Sequence, residues 1–288
     1  MSIDKLQQKI RKLKNPLVVD LTPAAALIPP QLKQTVSSEP EQYRCFCEEL
    51  LKSLKGIVPA VRFQMSPFVL LGPEGLSLLQ TLLQAAQKQE FYVLLDAPES
   101  LSPQAAEAAA QTLAQWPCDG ILISAYIGSD GIKPYLPILE KCGKSLFVVL
   151  RTANRSASEL QDLMTGSRLV HMAAADIVNR LAEPLVGRCG YAQLAGVAAA
   201  NAADSLRTLR AKYNRLFLLL DGFDYSNANA KYCSYGFDQF GHGAAVCVGA
   251  SVTAAWKEAP GDGSAYAASA AEAAQRIQKN ILRYITIL

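Results

Sequence analysis

Histidine is scarce. Only His171 and His242 occur in 288 residues, which leaves little material for a histidine-based metal centre or proton relay. The seven cysteines, Cys45, Cys47, Cys118, Cys142, Cys189, Cys233 and Cys247, include no Cys-x-x-Cys pair, and Cys45-Phe-Cys47 is too tight for a zinc half-site. Their odd count and scattered spacing read as reduced thiols, several of them in the core. Charge is sparse too: 18% of residues are charged and the net charge is +3, so no basic stripe is available for nucleic acid. No apolar run reaches membrane-spanning length, and the first residues lack the apolar stretch of a secretory signal. These absences set the expectation of a cytoplasmic protein without metal, cofactor, nucleic-acid partner or membrane contact.

What the chain has is apolar residues, 50% of the total, enough for a sizeable core. Ile3, Leu6, Ile10 and Leu13 recur at helical spacing and predict an amphipathic helix over 2–14, stopped by Asn15-Pro16. Its Lys5, Lys9, Arg11, Lys12 and Lys14 read as a solvated face. Short apolar runs follow at 17–21, 57–63, 91–96, 120–125, 145–150, 191–197, 215–221 and 244–250. Helical windows separate them at 40–54, 73–88, 103–115, 132–142, 156–187, 203–213 and 264–285. Ser102-Pro103 is a strong helix start, with serine as cap and proline at the first position. Continuous apolar strands alternating with helices imply a parallel sheet. Eight such units without a linker imply a single α/β domain over 1–288, a (β/α)8 TIM barrel. A doubly wound open sheet is the alternative, but no Gly-x-Gly-x-x-Gly follows the first run.

In such a barrel the chemistry lies just beyond each strand. The candidates there are Thr22; Arg62 and Gln64; Asp96 and Glu99; Ser124, Tyr126 and Asp130; Arg151, Asn154 and Arg155; Asn201; Asp221 and Asp224; and Ser251. Asp96 ends the 91–96 run, and with Arg62 it is the pair that could carry chemistry on a small substrate. The competing reading has Asp96 capping its turn and Arg62 paired with it inside the barrel mouth. Arginine does not give up its proton in proteins. After the seventh run Asp221 and Asp224 would repel a phosphate, and Lys231 stands well into the following segment. His242 falls at the opposite end of the barrel, and no spacing of Ser, His and Asp supports a nucleophilic triad.

Several stretches, in order and at matching strands, resemble the bacterial type of orotidine 5′-phosphate decarboxylase. They are KIRKLKNPLVVDLTP at the start, VRFQMSPFVLLGPEGL over 61–76, Tyr126 with Gly128, and SLFVVLRTANRSASELQDL over 145–163. The resemblance implies the barrel fold, a nucleotide or other small anionic ligand, and a dimer, either a homodimer or a heterodimer with a related barrel. It also implies binding roles for Gln64, Tyr126, Arg151, Asn154 and Ser251, and a catalytic role for Asp96.

The family's remaining charged residues do not carry over. Its Asp-Ala-Lys-Arg-Gly-Asp resembles the stretch over 96–101, where Pro98 stands for the lysine and Leu101 for the second aspartate. Arg62 stands for the second-strand lysine, Thr22 for the first-strand aspartate and Val252 for the phosphate-binding arginine. A proline supplies neither proton nor charge, and arginine is a poor general acid. The resemblance therefore leads to a decarboxylase-like barrel with a degenerate site and a binding or subunit-partner role. A repurposed lyase, or residual decarboxylation of orotidine 5′-phosphate, is the alternative.

Overall fold

Eight short apolar runs pair edge to edge into one closed sheet. In the computed structural model, which describes residues 1–97 and 100–288, the strands are β1 Leu17–Asp20, β2 Ala60–Gln64, β3 Tyr92–Asp96 and β4 Gly120–Ser124. They continue as β5 Ser145–Val149, β6 Leu194–Ala199, β7 Leu218–Asp221 and β8 Ala244–Val248. Every barrel pairing is parallel, and β8 closes on β1 with Leu17 opposite Val246. The chain is thus the single (β/α)8 barrel its alternating pattern implies. Pro98 and Glu99 lie outside the described residues.

Strand pleating sorts the side chains into two cores. Val61, Phe63, Val93, Leu95, Ile121 and Val148 face outward and pack with helix residues such as Leu50, Leu82, Leu139 and Leu206. Val18, Ala60, Tyr92, Leu94, Leu122, Phe147, Leu219 and Cys247 fill the interior. Continuing the inward alternation along the strands reaches Asp20, Arg62 and then Gln64, Asp96, Ser124 and Asp221. The barrel is therefore apolar through its middle and polar at its carboxyl-end mouth.

The amino-terminal helix, Ser2–Leu13, seals the other end. Ile3, Leu6 and Ile10 are fully buried in the interior cluster beside Phe217 and Ile287. Its basic residues are more than a solvated face. Lys5 pairs with Asp119 at 2.6 Å, while Arg11 and Lys14 donate to the carbonyls of Leu288 and Ile287.

Some elements depart from the sequence pattern for physical reasons. β2 begins just after Pro59, whose carbonyl still accepts from the Tyr92 N–H, so the proline costs the sheet nothing. β6 lies three residues later than the alanine-rich run suggests. The predicted 132–142 helix breaks into Ser129–Ile132, a 3₁₀ turn Lys133–Tyr135 and Leu136–Cys142, because Pro134 and Pro137 cannot donate within a continuous helix. A two-residue hairpin, Met164–Thr165 with Arg168–Leu169, precedes the Val170–Ala182 helix. Ser102 does cap its helix, its Oγ accepting from the Ala105 N–H at 3.1 Å.

Candidate active site at the barrel mouth

β1, β2 and β7 bring three charged side chains together. Arg62 donates to Asp20 Oδ2 from Nη2 at 2.6 Å and from Nε at 3.1 Å, and its Nη1 lies 3.2 Å from Asp221 Oδ1. Arg62 is 7% exposed and Asp20 8%, so this is a buried charge cluster. Gln64 Nε2 also donates to Asp20 Oδ2, at 2.8 Å. The other carboxylate oxygen accepts from the Thr22 backbone N–H at 2.9 Å and from the Thr22 hydroxyl. That hydroxyl in turn accepts from the Gln64 N–H at 2.8 Å.

The expected Arg62–Asp96 pair does not form; the ion-pair partners of Arg62 are Asp20 and Asp221. The reason is register. Asp20 stands directly opposite Arg62 across β1 and β2, whereas Asp96 stands opposite Gln64, one inward step further up the barrel. Asp20 was absent from the strand-end candidates, which begin at Thr22. The alternation from Val18 was the signal that would have found it.

Burial raises the Asp20 carboxyl, but the Arg62 charge and the hydrogen bonds from Thr22, Gln64 and Arg62 outweigh it, leaving the pKa below its ordinary value. Arg62 loses stability as a cation through burial, yet the surrounding acids hold its pKa well above the usual one. Asp96 goes the other way. Burial, reinforced by Asp221 and Asp20 and only partly offset by Arg62, pushes it up to about 6.

Asp96 thus carries a pH signature. Its folded pKa of about 6 exceeds the ordinary 3.8, so the folded state holds the proton more tightly and stability falls as pH rises between these values. Asp96→Asn should remove that fall. Against wild type it should gain about 3 kcal/mol above about pH 6 and converge with it near pH 4, as read by urea unfolding across pH. Parallel curves for the two proteins would show that Asp96 titrates normally.

The mouth cavity, about 490 Å³, is lined by Asp20, Thr22, Arg62, Gln64, Asp221, Asp224, Cys247 and Gly249 among others. Among the described residues lining it, Arg62 is the one cation, set against three carboxylates. Asp224 Oδ2 accepts from the Gly249 backbone N–H at 2.8 Å. In barrels of this kind the backbone after the last strand is where phosphate oxygens are received. Here a carboxylate of the chain itself fills that position, and Gly222, with φ +83°, lets the 222–225 turn bring it there.

The other candidates separate from this cluster. Arg151 turns away to a two-bonded pair with Asp162, at 2.9 and 2.7 Å. Asn154 is exposed and donates to Ser156 Oγ, and Tyr126 is 74% exposed. Ser251 Oγ is buried without a partner among the described residues. Of the binding candidates only Gln64 therefore joins Arg62 at the mouth; Pro98 and Glu99 fall outside the described residues. Arg151 instead borders a second cavity of about 460 Å³, with Asp162, His171, Asn201 and Ser205. There His171 contacts both Ser205 and Asp162, although no sequence spacing signalled a triad.

Fold and mouth together define a (β/α)8 barrel with an acidic strand-end cluster. No protein-family model matches the chain. Curated relatives do. It is 26% identical over 241 residues to orotidine 5′-phosphate decarboxylase of Rhodopirellula baltica, covering 79% of this chain and 80% of that protein. It is 25% identical over 287 residues to the enzyme of the same name from Clostridium kluyveri, covering 98% of both. The solved structure of Leishmania donovani OMP decarboxylase superposes with a TM-score of 0.73 at 23% identity, over 97% of this chain and 99% of that one, showing a shared fold. The barrel is of the orotidine 5′-phosphate decarboxylase type, and the chain is similar to enzymes of that name along nearly its whole length.

Proposed function

We propose that this barrel, linked to pyrimidine nucleotide metabolism, no longer decarboxylates orotidine 5′-phosphate and acts as a binding or subunit-partner protein. The observation that carries the reading is the state of Arg62: the cation of the described mouth lining is buried and committed to Asp20 and Asp221. Decarboxylation leaves a carbanion that needs a nearby positive charge and a proton. Arg62 can offer the first only by abandoning the buried Asp20 and its second partner Asp221, and it cannot supply the second. Asp224 on the Gly249 N–H further opposes the remote phosphate contact from which such a reaction draws binding energy.

A partner role also has support at the mouth end. Val69, Leu70, Leu101 and Tyr126, beyond β2, β3 and β4, are large apolar side chains left exposed, from 47% to 88%. A second barrel, either another copy or a related decarboxylase, would cover them. The direct test is growth. Expression should not rescue a decarboxylase-deficient pyrimidine auxotroph, and purified protein should form no uridine 5′-monophosphate from orotidine 5′-phosphate. Rescue by the wild-type chain but not by Asp96→Asn would overturn the proposal. A repurposed enzyme is a second reading with its own observation: Asp96 at about 6 can exchange protons near neutrality.

A further inference from the structure

The second cavity holds a nucleophile, a base and an acid in series. His171 is 2% exposed on the Val170–Ala182 helix. Its Nδ1 lies 2.9 Å from the Gln161 carbonyl oxygen and 3.2 Å from Asp162 Oδ1. Neither of those oxygens carries a hydrogen when Asp162 is ionised, so Nδ1 must be the protonated nitrogen. Nε2 is then left with a lone pair, and it faces Ser205 Oγ at 3.1 Å. Asp162 is ionised because hydrogen bonds from Arg151, with its charge, lower its pKa against a smaller effect of burial. The same pair with Arg151 fixes its orientation.

This is the tautomer and order that a base-activated serine requires. We propose that Ser205 is a nucleophile, activated by His171 and oriented through Asp162, that accepts acyl groups from small carboxylic esters. The proposal is independent of the mouth, since it uses none of Arg62, Asp20, Asp96 or Asp221.

The surroundings fit the chemistry. Ser205 is half-buried in the first turn of the Ala203–Lys212 helix and lines the cavity. The N–H groups of Ala203, Asp204 and Ser205 precede that helix's first internal bond, from the Leu206 N–H to the Ala202 carbonyl, and no side chain caps them. All three residues line the cavity, so their N–H groups are the donors this end of the helix offers a developing oxyanion. Leu169 and Met172 add an apolar wall for a short acyl chain.

The steps balance without a cofactor. Ser205 Oγ bonds to the ester carbon as its proton passes to His171 Nε2. The carbon–alkoxide bond then breaks and the alkoxide leaves with that proton. Water attacks the acyl carbon, giving its proton to Nε2, and Oγ departs and regains it. The net change is ester plus water to carboxylic acid plus alcohol.

The test uses the full-length protein with two probes. A fluorophosphonate should form one adduct, mapped by mass spectrometry to Ser205, with fluoride leaving as the Oγ–P bond forms. p-Nitrophenyl acetate should be hydrolysed above the buffer rate. Ser205→Ala should abolish the adduct and lower hydrolysis to that of buffer, and His171→Asn should slow it about 100-fold or more. Cys142→Ser, at an exposed thiol, should change neither. Ser205→Cys, checked for folding by circular dichroism, should acquire an acetyl group from p-nitrophenyl acetate at position 205, mapped by mass spectrometry. An unlabelled wild type, an adduct elsewhere, or undiminished hydrolysis by folded Ser205→Ala would overturn the assignment.

Discussion

Replacing Arg62 by methionine is expected to cost about 3–5 kcal/mol of folding stability near neutral pH, the usual cost of removing one partner from a buried ion pair. Arg62 and Asp20 are both nearly inaccessible, so the substitution leaves a carboxylate inside the barrel with only Thr22 and Gln64 to hold it. Asp221 and Asp96 lose the same counter-charge. The loss should shrink as pH falls. Without Arg62 the buried Asp20 pKa rises above its unfolded value, so the folded state binds the proton more tightly and gains stability towards acid. Urea unfolding at several pH values reads both effects. Arg62→Met combined with Asp20→Asn should lose less than the sum of the two single changes, because the orphaned charge is then gone. A loss under about 1 kcal/mol for the single change would mean that the pair is solvated rather than buried.

The second large effect lies at the other end of the barrel. Leu6→Ala should destabilise the protein by about 2–5 kcal/mol, the range for deleting a fully buried leucine side chain. Leu6 belongs to the helix that closes the barrel floor, and it packs with Ile3, Ile10, Phe217 and Ile287. The neighbouring Lys12→Ala, on the exposed side of the same helix, should change stability by no more than about 0.5 kcal/mol. Thermal and urea unfolding of the pair would separate a structural plug from a loosely attached arm. Equal small effects would show that the helix contributes little to the fold.

The two ends of the barrel differ in how far local sequence described them. The Ser2–Leu13 helix was legible because its four apolar residues repeat at the spacing of one helix face. The eight strands were legible because each is a short apolar run bounded by turn residues. Their ends were less so. β6 is rich in alanine, which marks no boundary, and Pro134 and Pro137 break a pattern that otherwise reads as one helix.

The mouth was legible in type but not in pairing. That Arg62 and Asp96 would sit at strand ends followed from local pattern, and so did the acidic turn after β7. Which acid Arg62 holds depends on the stagger of β1 against β2 and on closure of the barrel through β8, and neither is written in any local stretch. Likewise His171 and Ser205 are 34 residues apart and belong to different helices, and only the folded barrel brings them into hydrogen-bond contact. Matching motifs also pointed to Thr22 in place of Asp20. Strand pleating, which continues inward from Val18, decides for the aspartate.

The most direct test of an acidic, self-filled mouth is calorimetric titration of the purified protein with uridine 5′-monophosphate. The account requires no heat of binding up to millimolar nucleotide, because Arg62 is committed to Asp20 and Asp221 and Asp224 occupies the Gly249 N–H. Binding at micromolar concentration would contradict it. The mouth would then accept a phosphate despite its carboxylates, and the protein would be a nucleotide sensor or a working decarboxylase.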